Sequence, residues 1–187
     1  SGDIFLGLDL QPQIVAAQKE FYTQLRNDGV QVQFVVYDLL CILMPQHFVE
    51  GAAEGHKRWL DVIAENDGVV CISKAVADEV STWMKEYSPE RLRPFNINWF
   101  HLGADVNNAA PSKGLPATAK TELNQISQSN SFLMVGTLEP RKGHAQVLEA
   151  FEQLWQTGRN ISLIIVGKQG WMVEELIKKL QTSPELN

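Results

Sequence analysis

The sequence predicts an α/β protein of parallel-sheet layers, and three observations carry that prediction. Short apolar runs at residues 4–8, 32–37, 69–72, 132–135 and 161–166 alternate with longer segments whose apolar residues recur at helical spacing. Several of these runs are apolar at consecutive positions, as strands covered on both faces are. The runs also give way to Asp9, Asp38, Ser73, Gly136 and Gly167, residues that suit the turn between a strand and a following helix.

Taken in order, residues 4–8 read as a buried strand ending near Asp9. Pro12 opens a helix with Ile14, Ala17, Phe21 and Leu25 on one face, closed by Gly29. Residues 32–37 form a second strand that ends at Asp38, followed by an apolar loop over 39–44 and Pro45. A helix through Trp59, Leu60 and Ile63 leads to a turn at Asp67-Gly68 and a third strand over 69–72. Ser73 suits the N-cap of a helix that buries Val76, Val80, Trp83 and Met84. A fourth strand covers 95–100, with Asn96 and Asn98 alternating through it.

Residues 101–122 show little periodicity and carry Gly103, Pro111, Gly114 and Pro116, which reads as a linker. The expected division is therefore 1–102, a linker at 103–122 with Gly103 and Asp105 as hinge, and 123–187. The second part opens on a buried strand in Phe132-Leu133-Met134-Val135 and a helix bearing Val147, Leu148, Phe151, Leu154 and Trp155. A very apolar strand at 161–166, the loop 167–171 and a helix bearing Val173, Leu176, Ile177 and Leu180 follow. Two strands are too few to bury a sheet. The chain is therefore expected to be a fragment of a larger protein with both layers incomplete, or its second part leans on the first or on another copy, and such surfaces invite self-association.

Composition narrows the function. The net charge is -6, with 16 Lys and Arg against 22 Asp and Glu, and the basic residues are dispersed. That excludes a general nucleic-acid binder, which needs a basic face. Cys41 and Cys71 have apolar neighbours and no metal-ligand spacing, which fits a reducing compartment and no metal centre. No apolar run reaches membrane-spanning length, and the first residues do not form a signal peptide. The expectation is a cytoplasmic protein, with peripheral contact at the inner face of the cytoplasmic membrane left open.

The chemistry-bearing positions sit where strands give way to helices. Gly136, Thr137, Arg141 and Lys142 put two adjacent cations at a helix start, whose dipole is already positive, so an anion such as phosphate is wanted there. The spacing matches neither a Walker A loop nor the dinucleotide fingerprint. Gly167, Lys168 and Gly170 form a second loop, whose glycines permit close backbone approach. It should lie beside the first loop, with Trp171 packed against it as the structural alternative. Tyr37, Asp38 and Ser73 stand at strand carboxyl ends, where ligands of parallel sheets gather; Asp38 equally suits capping of its own loop. His47, His56, His101 and His144 read as surface residues without metal spacing.

Residues 135–143 (VGTLEPRKG), the amphipathic helix after them and 163–171 (LIIVGKQGW) resemble glycosyltransferase family 4. Residues 35–40 (VVYDLL), 71–76 (CISKAV) and 102–105 (LGAD) extend the resemblance over nearly the whole chain. It implies a GT-B fold of two Rossmann-like domains and a retaining enzyme, often a mannosyltransferase of polysaccharide synthesis. The donor would be a nucleotide sugar, GDP-mannose or a UDP-sugar, and the acceptor a glycan or lipid-linked glycan. Arg141 and Lys142 would hold the diphosphate and Gly136 and Thr137 would shape the loop, with no cofactor. The family's pair of glutamates with seven residues between them is absent, as is its N-terminal glycine-rich loop. Tyr37 and Cys41 replace the His and Pro common in relatives, so no catalytic residue is assigned. The chain is accordingly expected to be a central segment, inactive alone. A non-catalytic GT-B scaffold is the alternative, and a sugar-phosphate epimerase a third class that the missing dinucleotide fingerprint disfavours.

Overall fold

The computed structural model describes residues 2–87, 91, 93–105, 114–128 and 130–183. It is α/β with two sheets, each parallel throughout, as Rossmann-like layers are. The chain falls into two compact units, Ser1–Gln46 with Glu50–Asp105, and His47–Val49 with Val106–Asn187.

The first unit contains β1 (Ile4–Gly7), α1 (Pro12–Ala17), α2 (Lys19–Asn27), β2 (Gln31–Val36), α3 (Leu40–Leu43), α4 (Ala52–Ala64), β3 (Gly68–Cys71), α5 (Lys74–Tyr87) and β4 (Asn96–Trp99). Strand order follows the chain, β1-β2-β3-β4. The central strands and α4 supply the core: Val32, Phe34, Val36, Trp59, Leu60, Ile63, Val69 and Cys71 are each no more than 1% exposed. Continuous apolar sequence in β2 and β3 thus reports burial on both faces.

The expected strand at 4–8 is not buried. β1 lies at the sheet's edge, and Ile4 is 60% exposed. The single expected helix is two, broken at Gln18, and in both the inward face lies one residue on from the expected one. Val15 and Tyr22 are buried while Ile14 and Phe21 are exposed. Adjacent apolar pairs at 14–15 and 21–22 leave the helical phase ambiguous in sequence, and packing decides it: Tyr22 meets Phe34 edge-on at 5.2 Å. The loop expected at 39–44 contains α3, whose first amide is capped by Asp38. Gly68 starts β3 and is not a turn residue; a Cβ there would meet the Asn96 carbonyl oxygen at 2.4 Å.

The second unit contains α6 (Ala119–Ile126), β5 (Asn130–Val135), a 3-10 turn Pro140–Lys142, α7 (His144–Gln156), β6 (Ile161–Val166) and α8 (Glu174–Thr182). α6 begins inside the stretch expected to be linker, because Ala119, Lys120, Glu122 and Leu123 favour helix without a long apolar period. Of that stretch, 106–113 lies outside the described residues. β5 and β6 pair in parallel from Asn130 opposite Ile161 to Val135 opposite Val166. β5 is not the buried strand its sequence suggests: Leu133 is 65% and Val135 70% exposed. It has β6 as its one strand partner among the described residues, and Phe132 rests on Phe151 of α7. Leu138, Leu148, Phe151 and Val173 form the buried interior.

Candidate functional site

In the second unit the two predicted loops lie side by side and are stitched by backbone. Gly136 N–H donates to Val166 O, Leu138 N–H to Lys168 O and Gly170 N–H to Leu138 O, each at 2.9 Å. The parallel ladder thus continues past both strands, with Leu138 opposite Gln169. The glycines of the second loop serve this contact. A Cβ on Gly167 would fall 1.8 Å from the Gly136 carbonyl oxygen, and one on Gly170 2.6 Å from that of Leu138. The close approach expected of them is therefore made to the neighbouring loop.

Gly136, at φ +152°, turns the chain out of β5. Thr137 is exposed, and Glu139 and Pro140 lead into the 3-10 turn carrying Arg141 and Lys142. Gly143, at φ +72°, is the N-cap of α7. The cations precede that cap and do not lie within the helix, and they differ in state. Arg141 Nη2 pairs with Glu139 Oε1 at 2.7 Å, and Glu139 is 3% exposed. Lys142 and Lys168 are exposed. The pocket is therefore less positive than two free cations imply. The first turn of α7 holds no acidic residue, and no side chain caps it. Its leading amides and Lys142 face the same requirement, an acceptor of negative charge.

His144 is buried, 2% exposed, and neither ring nitrogen has a partner. His56 is equally buried, with Nε2 unpartnered. Both differ from the surface positions expected. Each lies on its helix's apolar stripe, His144 with Leu148, Phe151 and Trp155, and His56 with Trp59, Leu60 and Ile63. That periodicity is the signal that places them inside.

In the first unit, Tyr37, Asp38 and Ser73 follow the paired ends of β2 and β3. Tyr37 Oη donates to Leu8 O at 3.0 Å. Asp38 Oδ1 accepts the Leu40 N–H at 3.0 Å, the loop-capping role weighed above. Ser73 Oγ accepts from Val76 N–H at 3.3 Å, as an N-cap does. The residues that sequence reasoning missed surround them. Burial lowers the His56 pKa, partly offset by the Asp38 carboxylate and backbone carbonyl. Burial and then Asp38 raise that of Glu79, and burial followed by Glu79 pushes the Cys71 thiol to about 11. Cys71 is thus a protonated thiol at neutral pH and no nucleophile. A cleft of about 470 Å³ opens between α3 and α5, lined by Ile42, Leu43, Trp83 and Tyr87 with Asp78, Glu79 and Glu86. Gly103 and Asp105 are exposed, and Asp105 ends the first unit.

The His56 environment sets a pH dependence. Its folded pKa lies below the ordinary 6.5, so below that pH the unfolded chain binds a proton the folded state refuses. This contribution is complete above about pH 6.5 and is lost on acidification toward the folded pKa. Glu79 acts oppositely: with a raised folded pKa, it favours the fold as pH falls toward its ordinary value. Urea midpoints at pH 8 and pH 5.5 should show a drop in the native chain and a smaller drop in His56→Gln. An equal drop in both assigns the acid sensitivity elsewhere.

Residues 117–187 match the family described as Glycosyl transferases group 1. The chain is 40% identical over 190 residues to an Escherichia coli protein named serotype-specific mannosyltransferase WbdA, covering 99% of this chain and 23% of that protein. A second Escherichia coli protein of the same name is 41% identical over the same span and coverage. The chain thus spans about a quarter of the length of these relatives. No solved structure matches it. Among the described residues, no helix is long and apolar enough to cross a membrane, and no group of three or more His, Cys, Asp or Glu side chains is placed to hold a metal ion.

Proposed function

We propose that this chain carries the diphosphate end of a nucleotide-sugar site in a retaining GT-B glycosyltransferase of family 4. The best specific reading is a mannosyltransferase that uses GDP-mannose to extend a glycan or lipid-linked glycan; a UDP-sugar is the competing donor class. The observation that carries it is the start of α7, a helix N-terminus with no acidic residue and no side-chain cap, beside exposed Lys142. An anion completes such a site. The Glycosyl transferases group 1 match over 117–187 and the similarity to the Escherichia coli mannosyltransferases support the same reading.

The chemistry fits that geometry. Transfer breaks the bond between the sugar's anomeric carbon and the diphosphate oxygen, and the electron pair departs with the diphosphate. The acceptor hydroxyl oxygen bonds to that carbon, and its proton passes to the departing diphosphate. Fixed amides and a lysine stabilise the departing charge without reorganising, the work a divalent cation does in enzymes that use one. We place the parent enzyme in the cytoplasm, peripheral to the inner face of the cytoplasmic membrane if its acceptor is lipid-linked.

Titration calorimetry of the full-length protein with GDP, UDP and their sugars tests this. Lys142→Ala should weaken nucleotide affinity by about 10- to 100-fold, since a hydrogen bond to a charged group contributes about 1.5–3 kcal/mol. Binding that is absent, or indifferent to Lys142→Ala, rejects the assignment.

A further inference from the structure

We propose that Glu139 is a positioning residue: its buried carboxylate holds the Arg141 guanidinium in one orientation at the anion site and leaves Lys142 as the exposed cation. The proposal rests on the donor-diphosphate reading above. Glu139 is 3% exposed, and its Oε1 lies 2.7 Å from Arg141 Nη2. Arg141 is itself largely covered, with 27% of its side chain exposed, and its Nε is buried without a partner.

The backbone before Glu139 is fixed on both sides. Leu138 donates to Lys168 O and accepts from Gly170 N–H, and Pro140 then restricts the chain that leads to Arg141. A buried carboxylate is costly unless paired, so the pair is a committed one. A guanidinium has five donors in a rigid fork, and a single ion pair leaves the others at defined positions. Orientation settled before the ligand arrives reduces the entropy lost on binding.

The proposal makes a prediction opposite in sign to simple charge attraction. A carboxylate beside an anion site lowers its positive potential, so on charge alone Glu139→Gln should tighten binding. If Glu139 orients Arg141, the same substitution should weaken it. Calorimetry with GDP and UDP on the full-length protein separates the two. For whichever nucleotide binds, Glu139→Gln should lower affinity about tenfold, and Glu139→Asp, which keeps the charge, should recover part of the loss. In an Arg141→Ala background, Glu139→Gln should then change nothing. Unchanged or tighter binding by Glu139→Gln overturns the proposal, as does an equal loss in the Arg141→Ala background, which marks a merely structural role. If Glu139→Gln does not fold, Arg141→Lys serves instead: it keeps the charge without the fork and should weaken binding similarly, and unchanged affinity overturns the proposal. Wild type that binds neither nucleotide rejects the donor reading itself, and this assignment with it.

Discussion

Replacing Gly167 with Ala should cost on the order of 3 kcal/mol or more and should loosen the paired loops before anything else. The added methyl would stand 1.8 Å from the Gly136 carbonyl oxygen and 2.8 Å from its carbon. Both are backbone atoms, so neither can swing aside as a side chain would. The two loops must part, and the Leu138-to-Lys168 and Gly170-to-Leu138 hydrogen bonds, each 2.9 Å, lie next in the same ladder. Hydrogen exchange gives a local readout. Protection at Leu138 and Gly170 should fall in Gly167→Ala while amides of β2 and β3 keep theirs. Gly170→Ala, with its Cβ 2.6 Å from the Leu138 oxygen, should act in the same direction. Gly103→Ala is the control: nothing lies within 4 Å of its Cβ, and a change within about 0.5 kcal/mol is expected. Nucleotide affinity should fall with Gly167→Ala, because Lys142 stands on the displaced loop. Retained protection at Leu138 would show that the close approach is not what this glycine serves.

The same pair of loops shows what the sequence could and could not disclose. The α/β alternation and parallel pairing were legible because consecutive apolar residues and strand-ending Gly, Asp and Ser are local signals. The adjacency of Gly136 and Gly167 followed from that alternation. What held the loops together did not: the glycines suggested room for a ligand, and the room is taken by the other loop's backbone. The Glu139–Arg141 pair was equally silent, since a Glu two residues before an Arg in a Pro-containing turn has no fixed geometry until the turn is built. His56 and His144 were misplaced for a different reason. Polarity alone puts a histidine at the surface, but its place on the stripe wins when the rest of the face is Trp, Leu and Phe. The burial expected for β1 and β5 failed because strand sequence reports how many neighbours a strand suits, not how many it has.

Removing Trp59 should produce the largest loss in the first unit. Trp59→Ala is expected to cost about 3–5 kcal/mol, the range for deleting a buried aromatic side chain, and thus much of a small unit's usual margin of about 5–15 kcal/mol. The indole is 1% exposed and meets His56 edge-on at 5.1 Å. Its Nε1 is buried with no partner in the protein. An unmade hydrogen bond of that kind itself costs about 1–3 kcal/mol. Trp59→Phe loses part of the packing but also removes the unsatisfied donor, so the two effects oppose each other and a net loss under about 1.5 kcal/mol is expected. Urea unfolding at pH 8 compares them. If Phe is as damaging as Ala, the indole N–H is satisfied by water and its burial is not the liability inferred here. The pH dependence gives a second check on the same residue. Burial lowers the His56 pKa, and the imidazole sits beside Trp59 on the helix packed near Asp38. Opening that space in Trp59→Ala admits water to the imidazole, brings its folded pKa back toward 6.5, and should flatten the fall in stability between pH 8 and pH 5.5. Trp59→Phe, which keeps an aromatic ring in place, should retain most of that fall.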